Sequence, residues 1–335
     1  MEFGHPKMKR DWAWVAENSS PLFRWVGGKR AFVKKNSQLF PKVFNCYYEP
    51  FAGGLSVFFH LTKTSEQPVK ATIGDLNHSL ISTYQAVQAD WKQVAHELEY
   101  LVSLFPAPQK ELLRLAFSSK TRSLTNRQKE NFNKLNSLLR ERQARVYNQI
   151  RDEYNLQASN RTAASFIFLM STCYNGLYRV NASGSFNTPL GFVGLNLKVP
   201  SAENLQAASL AFSEVSFIAQ DWSETLRTAG RGDFVFVDPP YFSDALRVAH
   251  TKYSSVANRF TREHHQELAR RLVELAADGA DFVLTNSGEM AMIDMYQAMG
   301  LSVDCGFMKG SFNSKVSSRS KLPELIVRPG GELSQ

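Results

Sequence analysis

The stretch Asp233–Tyr241, DFVFVDPPY, constrains the fold of this chain more than any other. Phe234-Val235-Phe236-Val237 is an unbroken run of aromatic and β-branched residues, the pattern of a short strand buried on both faces of a parallel sheet. Asp238 stands where such a strand ends. Pro239 and Pro240 follow at once, and neither has a backbone N–H with which to extend the ladder. Open α/β sheets bind ligands outside the carboxyl ends of their strands, so Asp238 and Tyr241 fall at an expected site. An ordinary strand-ending turn is the plain alternative. The strand before the prolines and the aromatic after them favour a functional site.

These groups suit transfer to an exocyclic amino group on a base. Such a nitrogen is a poor nucleophile, because its lone pair is delocalised into the ring. An ionised Asp238 and the carbonyl of Pro239 can accept its two hydrogens and draw it towards a tetrahedral geometry. Tyr241 offers a face for the base, and such stacking is worth roughly 1–3 kcal/mol.

With 335 residues the chain can hold a full α/β domain and a smaller second one. Its formal charge of +8 and pI near 9.3 suit a polyanionic partner. Cys46, Cys173 and Cys305 are too few and too scattered for a disulfide framework or a zinc site, so no metal is expected and a reducing cytoplasm is the simplest setting. No apolar run is long enough to span a membrane. Residues 1–20 read as a leader of unknown role.

Towards the N-terminus, Pro21–Lys29 reads PLFRWVGGK. Gly27-Gly28 permits a tight turn or a close approach to a ligand, and Lys29 brings a cation there. Cys46–Phe59, CYYEPFAGGLSVFF, then reads as strand, glycine-rich turn and helix N-terminus, the first unit of a Rossmann-like sheet. It is not GxGxxG, so a pyrophosphate dinucleotide is not indicated, and S-adenosylmethionine (AdoMet) matches better. Ala71–Asp75 is a second strand ending in an acid placed for ribose hydroxyls. Asn77 is expected to cap the following helix.

FRWVGGK, EPFAGG, GDLN and DPPY occur in this order, and together they resemble the Dam-type (alpha-group) DNA adenine-N6 methyltransferases from Pro21 to about Arg328. The resemblance implies an AdoMet-dependent enzyme that flips an adenine from duplex DNA and methylates its N6 within a short specific sequence. Extrusion costs a few kcal/mol. Trp25, Lys29, Asp75 and Asp238 match the family's AdoMet-contacting positions, with Gly27 and Gly28 in the same loop. Glu49, Pro50, Phe51, Ala52, Gly53 and Gly54 match its cofactor loop.

From Asp90 to about Ala211 the βα rhythm stops. Residues 107–151 have a helical composition with eleven Lys and Arg against three Glu, an excess as large as the charge of the whole chain. Phosphate contact, with Lys120, Arg122, Arg127 and Lys129 as candidates, is set against a merely solvated helix face. Ser171–Gly191 is polar, aromatic and turn-rich, and suits either base-edge hydrogen bonding and wedging or a self-supporting loop. By resemblance it is the recognition hairpin. Tyr174 and Asn175 match positions that push into the duplex, and Arg179, Asn181 and Pro189 match positions on the recognition sequence. A base-contacting Tyr of the family is Val193 here, so GATC is not expected to be the preferred site.

The α/β rhythm returns with Val215–Ala219, a strand ending in Asp221-Trp222. This pair is open to two readings, a cover for the cofactor's adenine, as the family has it, or a helix cap beside a core Trp. Phe242–Phe260 reads as a lid. Thr261 and Glu263 start a surface helix on which His264 and His265 read as solvent-facing. Asp281–Asn286 is a further strand, and Leu301–Met308 with Leu322–Arg328 a closing hairpin carrying a basic tip. The fold expected is thus a Rossmann-like α/β methyltransferase sheet with a mainly helical insertion. The catalytic domain takes 21–89 and 212–330, and target recognition takes 90–211. Double-stranded DNA is the expected partner, with a cognate restriction nuclease as a candidate. A cytosine-N4 enzyme, an RNA adenine methyltransferase and a non-enzymatic DNA-binding protein are the rival readings. An intact EPFAGG loop and Asp75 argue against the last.

Overall fold

The computed structural model describes residues 12–121, 123–156, 162–241, 260–309 and 321–330. Arg122, all of the expected lid Phe242–Phe260 but its last residue, and Lys315 and Arg319 of the hairpin tip lie outside the described residues, as do residues 1–11 and the side chain of Lys120.

Seven strands form one sheet: β1 (Tyr47–Glu49), β2 (Ala71–Gly74), β3 (Val215–Ile218), β4 (Phe234–Val237), β5 (Asp281–Ser287), β6 (Ser302–Lys309) and β7 (Lys321–Arg328). Their order is β3-β2-β1-β4-β5-β7-β6. The pairs from β3 through to β5 are parallel, and β7 runs antiparallel to both β5 and β6. This is the Rossmann-like sheet expected, closed by the expected hairpin. Parallel strands survive only when both faces are covered, and here alternate residues feed two cores. Phe234 and Phe236 of β4 join one cluster, Val235 and Val237 the other.

The first core is covered by α1 (Trp12–Asn18), α2 (Arg30–Lys35), α3 (Ser56–Thr64) and α4 (His78–Leu104), followed in the insertion by α5 (Lys110–Thr121), α6 (Asn126–Leu156), α7 (Ala163–Thr172) and α8 (Ala202–Ala211). Of these, α5 packs on α6 rather than on the sheet. The second core is covered by α9 (Trp222–Thr225), α10 (Arg262–Asp278) and α11 (Met290–Ala298).

Two boundaries differ from expectation. Residues 12–20 belong to the core rather than to a leader, since Val15 is 2% exposed and Ser19 is fully buried. The turn of α1 carries Val15 into the apolar cluster beside α3 and α8. The expected division at residue 90 falls inside α4, where Asp90 leaves helical geometry (φ −150°, ψ 78°). Its Oδ1 accepts from the backbone N–H groups of Lys92 and Gln93, so Asp90 restarts the helix as its own cap. Beyond that kink the apolar core continues without a break through Phe105, Tyr147, Ile150 and Phe166. The insertion and the sheet therefore share one interior.

The chain runs outward from β1 to β2 and β3, then returns to β4 on the other side of β1. The strand order reverses between β1 and β4, and at such a reversal an open α/β sheet has its ligand crevice at the carboxyl ends of the strands. Glu49 ends β1, and Asp238 follows the last residue of β4.

Candidate active site

Three loops meet at this crevice. The first follows β1. Gly53 takes φ +45°, and a Cβ there would come to 3.0 Å from the Trp25 ring, while one on Gly54 would meet the Trp25 Cβ at 3.1 Å. The glycines of the EPFAGG loop thus make room for the indole of the FRWVGGK segment. Backbone bonds set the loop: Ala52 N–H donates to Gly74 O at 2.9 Å, and the Tyr84 hydroxyl donates to Gly53 O at 2.7 Å. Pro50 and Ala52 are buried, and Phe51 packs edge-on against Phe260.

Asp75, at the end of β2, ties two of these pieces together. Its Oδ2 accepts from Gly53 N–H at 3.3 Å and its Oδ1 from Asn77 N–H at 2.9 Å. Burial raises its pKa to about 6, against the pull of those two N–H groups. Asn77 caps α4 as expected, accepting from Leu80 N–H. Glu49 is 3% exposed and accepts from the Tyr47 hydroxyl at 2.9 Å. Burial holds its carboxyl well above the ordinary range, and the neighbouring Asp238 and Asp75 push the same way.

The second loop is the FRWVGGK turn. Gly27 has φ +79°, the left-handed geometry that favours glycine, and the turn delivers Lys29 to the head of α2. Its ammonium, on a residue only 5% exposed, reaches across to the third loop. Lys29 Nζ pairs with Asp238 Oδ1 at 2.8 Å, donates to the Tyr241 hydroxyl at 3.0 Å and lies 3.5 Å from Glu324 Oε1. Lys29, expected at the cofactor, here engages protein groups.

Thr285 of β5 donates its hydroxyl to the same Asp238 Oδ1 at 2.7 Å. Two donors thus fix one oxygen of Asp238, while Oδ2 meets no donor among the described residues. Tyr241 is 44% exposed, and its hydroxyl donates to Glu324 Oε1 at 2.9 Å. Burial of that hydroxyl and the facing carboxylates push its pKa far upward, so it stays protonated. Thr285 and Glu324 were not foreseen from sequence.

Behind the prolines stands His265, which is fully buried rather than solvent-facing. Its ring lies 3.4 Å from Asn286 Nδ2, meets Phe260 edge-on and interacts with the Pro240 backbone. Burial lowers its pKa to about 4, so it is neutral near pH 7. The reason lies in spacing. His265, Leu268, Leu272 and Leu275 share one face of α10. His264 is exposed, as expected, and closes the capping box with Thr261 at the start of α10.

Asp221 caps α9, accepting from Ser223 N–H and Oγ–H at 3.0 and 2.8 Å. Trp222 is 6% exposed within the second core. The pair thus takes the arrangement of the helix cap beside a core Trp.

Segment 171–191, expected as the recognition hairpin, folds back on itself through the bridges Cys173–Leu190 and Val180–Phe186 and packs on the same site. Trp25 lies nearly parallel to Tyr178, with ring centroids 6.2 Å apart, and a Cβ on Gly176 would strike Arg24. Helix α6 holds the hairpin from its other side. The Tyr147 hydroxyl donates to Thr188 O at 2.7 Å, and Asn155 exchanges two bonds with the Phe186 backbone. Tyr174, Asn175 and Pro189 are exposed, Asn175 at φ +55°. Arg179 and Asn181 are partly engaged within the hairpin. Arg179 donates to the Asn187 side chain and carbonyl, and Asn181 Oδ1 accepts from the backbone of Ser183 and Ser185. Val193 packs against the core, while Phe192 beside it is 79% exposed with the Arg140 guanidinium over its ring. On α6, Arg127, Lys129, Lys134, Arg140, Arg142 and Arg145 are all exposed.

Comparison with known proteins gives this geometry its place. A family model described as D12 class N6 adenine-specific DNA methyltransferase matches residues 25–304. The chain is 29% identical to the Type II methyltransferase M1.LlaDCHI of Lactococcus lactis subsp. cremoris, over 92% of this chain and 95% of that one. It is 29% identical to the Type II methyltransferase M.MjaIII of Methanocaldococcus jannaschii, over 80% and 84%. It is also 27% identical to the DNA adenine methylase of Escherichia coli strain K12, over 92% and 95%. With four motifs meeting at the switch point of a Rossmann-like sheet and a family match that spans most of its length, this chain belongs to the D12-class N6 adenine-specific DNA methyltransferases.

Proposed function

We propose that the chain takes its methyl group from AdoMet and places it on the N6 of an adenine turned out of duplex DNA, with Asp238 and Tyr241 receiving the base. The carrying observation is that Asp238 stands at the switch point with Oδ1 fixed by Lys29 and Thr285, its Oδ2 without a donor among the described residues, and the exposed Tyr241 three residues on.

The residues at the crevice fit AdoMet. Acidic side chains stand at the ends of β1, β2 and β4, and Asp75 lies against the Gly53 loop. The carboxylates of Asp75 and Asp238 suit hydroxyls and positive charge rather than phosphate. AdoMet, when bound, supplies an electrophilic methyl on a sulfonium. Asp75 would hold its ribose hydroxyls, and the Glu49–Gly54 loop would border it. Asp238 Oδ2 and the Pro239 carbonyl accept the two N6 hydrogens, which frees the nitrogen lone pair. Tyr241 supplies the stacking face that offsets part of the extrusion. Holding both reactants in line removes the orientational entropy from the barrier.

On the DNA side, the basic face of α5 and α6 meets phosphates, and the hairpin bolted to α6 meets bases through Tyr174, Asn175, Arg179, Asn181 and Pro189. No helix among the described residues is long and apolar enough to cross a membrane. A cytoplasmic site of action on nucleoid DNA accords with the DNA-acting family. A cognate restriction nuclease is the candidate protein partner, on the strength of the Type II methyltransferase relatives.

Three outcomes follow. Asp238→Asn should lower the rate of methyl transfer to unmethylated genomic DNA by about 100-fold or more while the variant stays folded, the scale of losing a preorganised polar group. A rate within a few-fold of the parent would remove Asp238 from the reaction.

The pKa of Asp75 near 6 sets the second. Its carboxylate accepts from two hydroxyls most strongly when ionised, so AdoMet affinity should fall as the pH is lowered through about 6. Calorimetric titration of Asp75→Asn should give weaker binding without that pH dependence. Parental affinity and an unaltered pH profile would contradict the assignment.

The third separates affinity from specificity. Neutralising Arg127 and Lys129, together with Lys120 and Arg122, should weaken binding to all DNA alike. Each lost phosphate contact should flatten the slope of log K against log salt by about 0.9. Replacing Arg179 should instead cost about 1–3 kcal/mol on the preferred sequence and little on random DNA. The reverse pattern would mean that the two segments exchange roles.

A further inference from the structure

One buried carboxylate at the crevice has no part in that reaction scheme. Glu324 lies on β7, opposite Ser287 of β5. Because β7 runs antiparallel to β5, the start of β7 meets the carboxyl ends of the parallel strands. A hairpin that otherwise only closes the sheet thus carries Glu324 to the edge where Asp238 stands.

Glu324 is 5% exposed, and burial lifts its pKa while Lys29 pulls it down. A buried carboxylate is tolerated only where partners replace the water it gives up. Its partners are two groups already at the site: the Tyr241 hydroxyl donates to Oε1 at 2.9 Å, and Lys29 Nζ lies 3.5 Å from the same oxygen. Tyr241 needs such a hold. It follows two prolines at the end of the ladder, and nearly half of it faces solvent. A tyrosine ring so placed turns about two side-chain bonds unless its far end is fastened.

We propose that Glu324 is a positioning residue, which fixes the plane of the Tyr241 ring through its hydroxyl in the orientation on which the extruded base stacks. The inference rests on the reading of Tyr241 as the stacking face. Glu324 acts through Tyr241 in this arrangement, and Lys29 serves as its counter-ion. An isosteric glutamine would keep an acceptor oxygen for the hydroxyl and give up only the charge facing Lys29.

The test is steady-state methyl transfer by the full chain to unmethylated genomic DNA, for Glu324→Ala, Glu324→Gln, Tyr241→Phe, Tyr241→Ala and the Glu324→Ala/Tyr241→Phe double variant. Glu324→Ala and Tyr241→Phe should each lower kcat by about ten- to a hundredfold, the span of one hydrogen bond to a charged group. KM for AdoMet should stay within about twofold, since the fastened ring acts on the base. The double variant should be no slower than the slower single one, because the Tyr241–Glu324 bond is already lost in either single variant. Glu324→Gln should recover most of the rate, which a mere loss of folding in the alanine variant would not explain. Losses that multiply, a glutamine variant as slow as the alanine one, or a Tyr241→Phe variant at the parental rate would overturn the inference. An inactive Tyr241→Ala beside a fully active Tyr241→Phe places the failure in this inference alone, whereas a fully active Tyr241→Ala removes the stacking reading beneath it.

Discussion

The ion pair between Lys29 and Asp238 is the interaction on which the rest of the site depends. It joins the first glycine turn of the chain to the DPPY loop at 2.8 Å, with side chains only 6% and 19% exposed. A pair so placed is weak support for stability in itself, because two ions must give up their water. Removing one partner is another matter. It leaves a buried charge unmatched, at a cost of about 3–5 kcal/mol. The pair therefore acts as a lock on geometry: it sets Asp238 Oδ1, and the other carboxylate oxygen then has one place to be.

Sheet topology explains why such distant segments meet. The order reversal between β1 and β4 opens one crevice, and parallel strands deliver their last residues to its rim. The antiparallel β7 delivers its first residues to the same rim, which brings Glu324 there. The recognition hairpin is coupled to this centre by packing. Trp25 lies against Gly53 and Gly54 on one side and stacks against Tyr178 on the other, so one indole spans the EPFAGG loop and segment 171–191. Helix α6 then holds segment 171–191 through Tyr147 and Asn155 and carries its own exposed Lys and Arg residues on the same support.

Much of this was legible in the sequence, and the exceptions have physical causes. The strands could be read because buried parallel strands are short unbroken apolar runs, and β4 is the clearest of them. The acids at strand ends could be read because their positions follow once the strands are known. Glu324 could not, since its significance arises from the direction of β7, which local pattern does not encode. Thr285 hid for a similar reason, as its partner lies on the neighbouring strand's loop. His265 was legible but misread: its spacing to Leu268 and Leu272 places it on the buried stripe of α10. The expected break at residue 90 coincides with a real kink, but the core beyond it is continuous with that of the sheet.

The account turns on which base nitrogen receives the methyl group. Base-resolved sequencing of modified DNA from cells that express this chain, and otherwise lack DNA methylation, measures it directly. The account predicts N6-methyladenine confined to one short sequence context, other than GATC given Val193. N4-methylcytosine, or DNA without any methylated base, would contradict it.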